Sequence, residues 1–347
     1  MKIAFTSCCD PHNDNKQVAW LELVKYNPDV LVLLGDNMYM DYKLGGNPID
    51  LYEPSTFSPL LFSQKMYENY ERQWKVENFQ TAINSIDNIY AIWDDHDFAW
   101  NNSRGEGTPC TCVNTSPCKC GYVPPIKRMI SKTLFEQFRS ALTTKPLAIQ
   151  YPANPFQNGI PTGFTGLPYT GIEQTIHLSN TIHLHLLDGR SFRPEPDKTK
   201  SLLGLAQQTA LQTQLSTAGV THLIASGTTL ENWKTFNDKD WLKGIATNNN
   251  IIVLSGDIHK PAMYHRYRIF EFTASAMAQP KRITRIFGRE SNVFGILEIL
   301  DKTINANIYQ FKTKKKILEV QISAEIDIES WTLTGVSEKR DDYPDTE

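Results

Sequence analysis

The side chains of this protein that could do chemistry fall in short polar groups, each closing an apolar run. Cys8, Cys9, Asp10 and His12 end IAFTSCCDPH, and Asp36, Asn37 and Tyr39 end DVLVLLGDNMY. Asp94, Asp95, His96 and Asp97 end NIYAIWDDHD, Asp188 and Arg190 end TIHLHLLDGR, and Asp257 and His259 end NIIVLSGDIH. Carboxylate, imidazole and amide oxygen donors brought together can hold a pair of divalent or trivalent cations. Such a pair clamps a phosphoryl group and makes hydroxide available at neutral pH. An arginine fork suits the remaining anionic oxygens, and Arg190 stands at one of the same ends.

The groups differ in weight. Gly35-Asp36 by itself is a common turn. Three acids and a histidine in Asp94–Asp97 repel one another unless a cation compensates; otherwise they form a solvated loop. Asp257 and His259 fall on one side if the backbone is still extended there. His183 and His185 alternate with leucines inside a strand and read as structural. The first group is ambiguous. Asp10-Pro11-His12 is a D-x-H, the usual opening ligand pair of a two-metal phosphoesterase, and it competes with the cysteines beside it. Strand alternation puts Cys8 and Asp10 on one face and Cys9 on the other.

The elements that must position these residues are short β-branched runs alternating with amphipathic helical segments. Strand-like runs lie at 3–8, 29–36, 88–97, 181–190, 221–227, 250–259 and 269–276. Helical periodicity covers 18–26, about 62–78, 126–142, 203–215 and 238–247. The expected class is α/β. A late run of strands at 294–301, 305–311 and 317–323 adds antiparallel pairing and implies a mixed or two-sheet arrangement. In open α/β sheets ligands bind outside the carboxyl ends of strands, so five polar strand ends make one site. Segments 41–60, 99–125 and 152–170 are rich in Gly, Pro, Asn and Thr and read as long loops that shape access. One domain is expected over 1–330, with a polar tail over 331–347.

Composition narrows the function. The 347 residues are 40% hydrophobic, enough for a large core, and 35 basic against 38 acidic residues give a formal charge of -3. A general nucleic-acid binder would carry a basic excess. No apolar run reaches the ~20 residues needed to span a bilayer, and MKIAFTSCC lacks the pattern of a secretory signal. If Met1 is the native start, a cytoplasmic location with reduced thiols is expected. The second cysteine group, Cys110, Cys112, Cys118 and Cys120 in CTCVNTSPCKC, reads either as a small Zn(II) site or as a reduced, exposed loop.

Six stretches then carry a resemblance. FTSC (5–8), LGDNMY (34–39), WDDHDFAWNN (93–102), LLDGRSFR (186–193), SGTTLENW (226–233) and LSGDIHKPAMY (254–264) lie in one order across roughly residues 3–276. Together they resemble the alkaline phosphatase D (PhoD-like) group of metallophosphoesterases. The resemblance implies a four-layer fold, two β-sheets between helices, and hydrolysis of phosphate monoesters or diesters. It implies Asp36 as the carboxylate bridging both metals, with Tyr39 at the family's phenolate position. Asp95 stands where other two-metal phosphoesterases place an asparagine, His96 where a histidine protonates the leaving group, and Asp257 and His259 complete the metal shells. Asn101 or Asn102 would add an amide to substrate or metal. Cys8 with Tyr39 is similar to the family's ferric site, Fe(III) held by thiolate and phenolate with Ca(II) nearby. The D-x-H pair would instead belong with an aspartate at position 39, so Cys8 is preferred to Asp10 and His12. The family's frequent N-terminal β-domain and export signal have no counterpart here, and CTCVNTSPCKC is not a family feature. Two rival readings remain: a non-catalytic metal or ligand sensor on a degenerate phosphatase scaffold, and a redox thiol at Cys8-Cys9. The latter lacks C-x-x-C geometry.

Overall fold

The computed structural model describes residues 1–41, 54–108, 121–164, 169–278 and 292–338. The cysteine loop Cys110–Cys120 lies outside the described residues. In the first third of the chain β1 (Lys2–Thr6), α1 (Ala19–Val24), β2 (Val30–Leu34), α2 (Pro59–Trp74), α3 (Glu77–Ser85) and β3 (Asn88–Ile92) follow one another. Next come α4 (Asp95–Phe98), α5 (Pro125–Thr144), β4 (Gln174–Ser179), β5 (Ile182–Leu186), α6 (Leu205–Leu215) and β6 (Thr221–Ser226). The chain continues with α7 (Asp238–Ala246), β7 (Asn250–Ser255), β8 (Ala262–Arg266) and β9 (Ile269–Thr273). It ends with β10 (Val293–Ile299), β11 (Thr303–Lys312), β12 (Ile317–Asp327) and β13 (Thr332–Glu338).

Two mixed sheets result, in the orders β13-β12-β11-β10-β1-β2-β3 and β4-β5-β6-β7-β9-β8. β1, β2 and β3 run parallel, as do β5, β6, β7 and β9. The central strands are continuous apolar runs: all five residues of β2 are buried, as expected for a parallel strand covered on both faces. Leu31 and Ile92 of the first sheet share a core with Leu184, Leu223 and Phe272 of the second. α1, α2, α3 and α5 add Trp20, Tyr70, Phe79 and Phe138 to that core. α6 and α7 cover the far side of the second sheet with Leu211, Leu215 and Leu242. This is the expected two-sheet α/β arrangement flanked by helices.

Three local expectations are corrected. The amphipathic stretch 62–78 is two helices. Ser58 caps α2 by accepting from the Leu61 N–H (3.3 Å), Pro59 fills its first turn, and Val76 is extended between α2 and α3. Strands β4 and β8 were not marked by hydrophobicity, because both are sheet edges with half-exposed residues. The polar tail expected from residue 331 begins instead as β13, paired with β12 from Asp327↔Thr332 to Ile322↔Glu338. Main-chain pairing holds a sequence too polar to signal burial. Among the described residues, no helix is long and apolar enough to cross a membrane.

Candidate metal centre

The carboxyl ends of β1, β2 and β3 meet those of β5, β6, β7 and β9. Two main-chain bonds lock the first pair of turns, from Cys8 N–H to Gly35 O (3.2 Å) and from Cys9 N–H to Asp36 O (2.8 Å). The chain leaves extended geometry at once. Cys8 has φ +59°, Asp36 +50°, Asp257 +71° and His259 +52°, left-handed values uncommon outside glycine. Strand alternation therefore does not decide which way Cys8 faces, and Asp257 and His259 are not an extended i, i+2 pair. Gly35, at φ +90°, is the glycine the turn requires: a Cβ there would stand 2.7 Å from the Asp94 Cβ.

Cys8, Asp36, Tyr39 and His259 converge. Ligand atoms of Cys8, Asp36 and His259 lie within 4.8 Å of one another. The Tyr39 hydroxyl donates to Asp36 Oδ2 at 3.2 Å and lies 3.3 Å from His259 Nε2. Cys8 Sγ is 3.5 Å from Asp36 Oδ2 and 3.2 Å from Ser275 Oγ, which also accepts from the His259 N–H at 3.0 Å. Ser275, beyond β9, carries no sequence signal of its own. Cys8, Asp36 and Tyr39 are all buried. Burial first pushes all three well above their ordinary pKa values; the Asp36 charge adds to the rise of Cys8 and Tyr39, and Asp95, Asp94 and Asp97 add to that of Asp36 against the pull of His96. Thiol, phenol and carboxyl crowded this way need a strongly charged cation before they ionise.

A second cluster shares Asp36. Ligand atoms of Asp36, Asp95 and His96 also lie within 4.8 Å of one another. His96 Nδ1 is held 2.6 Å from Asp41 Oδ1, which fixes the orientation of the ring. Burial alone would lower the His96 pKa, but Asp41, Asp36 and Asp95 raise it well above 6.5. Asp95 is opposed by burial, yet Arg190, His96 and the Asn102 N–H (2.6 Å) bring it down to about 2. Asp257 accepts from Thr228 Oγ1 and Asn232 Nδ2, both at 3.0 Å, and is raised by burial and by Asp95. Asn101 and Asn102 enter through their main chains: their N–H groups donate to Asp41 Oδ2 (3.3 Å) and Asp95 Oδ2.

The remaining candidates sort by what they touch. Asp10 accepts from the His12 N–H at 2.9 Å and from the Asn13 side chain, and His12 Nε2 meets Asn69 Oδ1 at 2.7 Å. Asp10 braces its own turn, and His12 ties that turn to α2. Asp97 accepts from Asn37 N–H, Asp94 N–H and Tyr70 O–H and ties β2 to α4. Asp188 gathers N–H groups of Ile172, Arg190 and Ser191. Arg190 is fully engaged. Its Nε donates to Asp94 Oδ1 at 2.6 Å and its Nη1 to Ser103 O at 3.2 Å, while Nη2 lies 3.7 Å from Asp95 Oδ2. Arg193, three residues later in DGRSFR, is not. Its Nη1 is buried without a hydrogen-bond partner, and its guanidinium lies 5.2 Å over the Phe236 ring. Burial and then Arg190 lower its pKa to about 10, against the pull of Asp94, Asp95 and Asp257. The second arginine of that motif was the available sequence signal.

Two groups of donors that could each hold a metal ion share Asp36. A soft thiolate donor with a phenol oxygen and an imidazole lies on one side, and carboxylate with imidazole on the other. Asp94 Oδ2 is buried without a hydrogen-bond partner, while its Oδ1 is paired with Arg190.

No protein-family model matches the chain, and no curated protein matches it. Among solved structures it is similar to one described as the structure of PhoD. The TM-score is 0.65 at 15% identity, over 98% of this chain and 72% of that one. Looser matches include YfcE, a phosphoesterase from E. coli (TM-score 0.28, 12% identity, 97% and 98% covered). Another is a putative 5'-nucleotidase from Staphylococcus aureus (TM-score 0.36, 11% identity, 94% of this chain and 54% of that one). At this identity the likeness concerns the fold: the chain shares its two-sheet α/β fold with the PhoD structure.

Proposed function

We propose that the protein hydrolyses phosphate esters at a centre of two cations. The observation that carries the reading is the sharing of Asp36 by two ligand clusters, Cys8–Asp36–His259 and Asp36–Asp95–His96. Cys8, Tyr39 and His259 would hold one ion with Asp36, and Asp95 and Asp257 would face the other. The thiolate–phenolate pair suits Fe(III), and the carboxylate side suits Ca(II). When bound, the ions would neutralise phosphoryl oxygens and acidify water.

The protein's own groups do the rest. Water attacks phosphorus, the P–O bond to the leaving group breaks, and the leaving oxygen takes a proton from His96. Asp41 positions His96 through Nδ1 and favours its protonated form. Arg193, rather than the engaged Arg190, offers its free edge to the substrate's phosphoryl oxygens. Arg190 instead holds Asp94 and Asp95 in place.

The test pairs elemental analysis with turnover. Protein purified without added metal is expected to contain iron and calcium and to cleave an aryl phosphate, a bis-aryl phosphodiester, or both. A visible absorption band from phenolate-to-iron charge transfer should vanish in Tyr39→Phe. Metal-replete protein inert toward both substrates would make this scaffold a binding protein instead.

A further inference from the structure

Four of the chain's eight histidines cluster far from the centre described above. His177 of β4 pairs with His183 of β5, and His183 pairs with His222 of β6. His185 lies two residues along β5 from His183, on the same face. Its cross-strand partner on β6 is Ile224, part of the core under α6 and α7. The array therefore lies on the helix-covered face of the second sheet. His183 and His222 are each the second residue of their strand, so it also lies at the end opposite the metal centre.

From these contacts we propose a second metal site, in which His183, His185 and His222 bind one divalent transition-metal ion of the zinc type. His185 Nε2 and His222 Nδ1 are 3.0 Å apart. Two imidazole nitrogens on one tetrahedral zinc, each at 2.0–2.1 Å, stand about 3.3 Å apart. The outer contacts that orient metal-bound imidazoles are already present. His185 Nδ1 lies 3.0 Å from Thr175 Oγ1, and the Thr217 main chain lies close enough to His222 to favour its protonated ring. His183 Nδ1 is buried without a hydrogen-bond partner. Burying an imidazole nitrogen unpaired is costly, and aliphatic residues would fill a sheet face without that cost.

His177 stacks on His183 with ring centroids 4.0 Å apart and planes 10° from parallel. It is exposed at the sheet edge and stands at the mouth of the site. Among the described residues, the triads with donors already within 4.8 Å of one another lie at the metal centre. Closing this second site therefore takes rotation of the His183 ring about χ2, a broad torsion. An ion held here would pin β5 to β6 beneath α6. Its ligands are all neutral nitrogen donors, which select borderline ions and reject calcium and magnesium.

Zinc titration of the whole protein, read by the ring ¹⁵N shifts of its histidines, tests this without any substitution. Zn²⁺ should move the rings of His183, His185 and His222 together at one equivalent, whereas Ca²⁺ should leave them unmoved. In parallel, Asp36→Asn, which disables the other centre, should still bind one zinc. Adding His183→Asn and His222→Gln should remove that equivalent. Thr175→Val, which alters only an outer contact, should weaken zinc binding about 10- to 100-fold. Unmoved ring signals, or equal zinc content with and without the histidine substitutions in folded protein, would overturn the proposal. It stands or falls independently of phosphoesterase activity.

Discussion

Asp95 and Asp36, on the two sides of the candidate metal centre, are buried carboxylates shifted in opposite directions. On the Asp95 side the protein supplies its own cation. Arg190 reaches both Asp94 and Asp95, and Asp95 falls to about 2. On the Cys8 side the described contacts join Cys8, Asp36, Tyr39, His259 and Ser275, and Asp36, Cys8 and Tyr39 all rise. On the reading proposed above, the side held by Arg190 is partly compensated by the fold, and the Cys8 side depends more on the ion proposed there.

The largest test of this contrast is a pair of isosteric substitutions. Asp36→Asn should lower turnover on the order of 10³-fold or more and remove bound metal, because it touches both ligand clusters. Asp95→Asn should cost less, about 10- to 100-fold, and leave iron in place. Turnover with elemental analysis reads both, and equal losses would erase the asymmetry.

A second pair separates holding the centre from holding the substrate. Arg190→Ala strands Asp94 and Asp95 and should destabilise the protein by about 3–5 kcal/mol, seen in denaturant unfolding. Arg193→Ala should leave that midpoint nearly unchanged while kcat/KM falls about 100-fold. If the two variants behaved alike, the division of labour between the arginines would be wrong.

Glu271 offers the smallest and cleanest test, since it is buried outside the centre. It accepts from the Leu230 N–H at 2.8 Å, and burial raises its pKa to about 7 despite that bond. The folded state thus binds its proton more tightly than the unfolded chain, so this group's contribution is full below about pH 4.5 and lost as pH rises through 7. Glu271→Gln keeps the acceptor. It should match wild type in stability below about pH 4.5 and exceed it by about 1–2 kcal/mol at pH 8.

Much of this was legible in the sequence because burial and chemistry both leave local marks. The apolar runs of β2, β5, β6 and β7 announce central strands, and every polar group at the centre follows one directly. The edge strands β4, β8 and β13 were not legible, since an edge needs only main-chain pairing. At the centre, strand alternation set Cys8 and Asp10 apart from Cys9, and Tyr39 then decided for Cys8, yet β1 stops at Thr6 and Cys8 turns left-handed, so the alternation does not reach it. The structure instead sets Cys8 beside Asp36 and Tyr39 through a turn that no periodicity describes. Asp41, Ser275 and the contrast between Arg190 and Arg193 depend on contacts between distant segments. Asp94 sits 96 residues from the arginine that holds it, a separation no spacing rule spans.

The left-handed backbone at Cys8, Asp36, Asp257 and His259 bears on how such a centre could be moved between proteins. Each such residue carries about 1–2 kcal/mol of conformational strain, held in check by the turns around it. A graft that copied the side chains onto ordinary strand ends would aim them elsewhere. What would have to be transplanted is the set of three turns that carry them, with Gly35 and the Cys8–Gly35 and Cys9–Asp36 main-chain bonds that brace two of them. Residue identity is the easily copied part of this centre, and its backbone path is the heirloom.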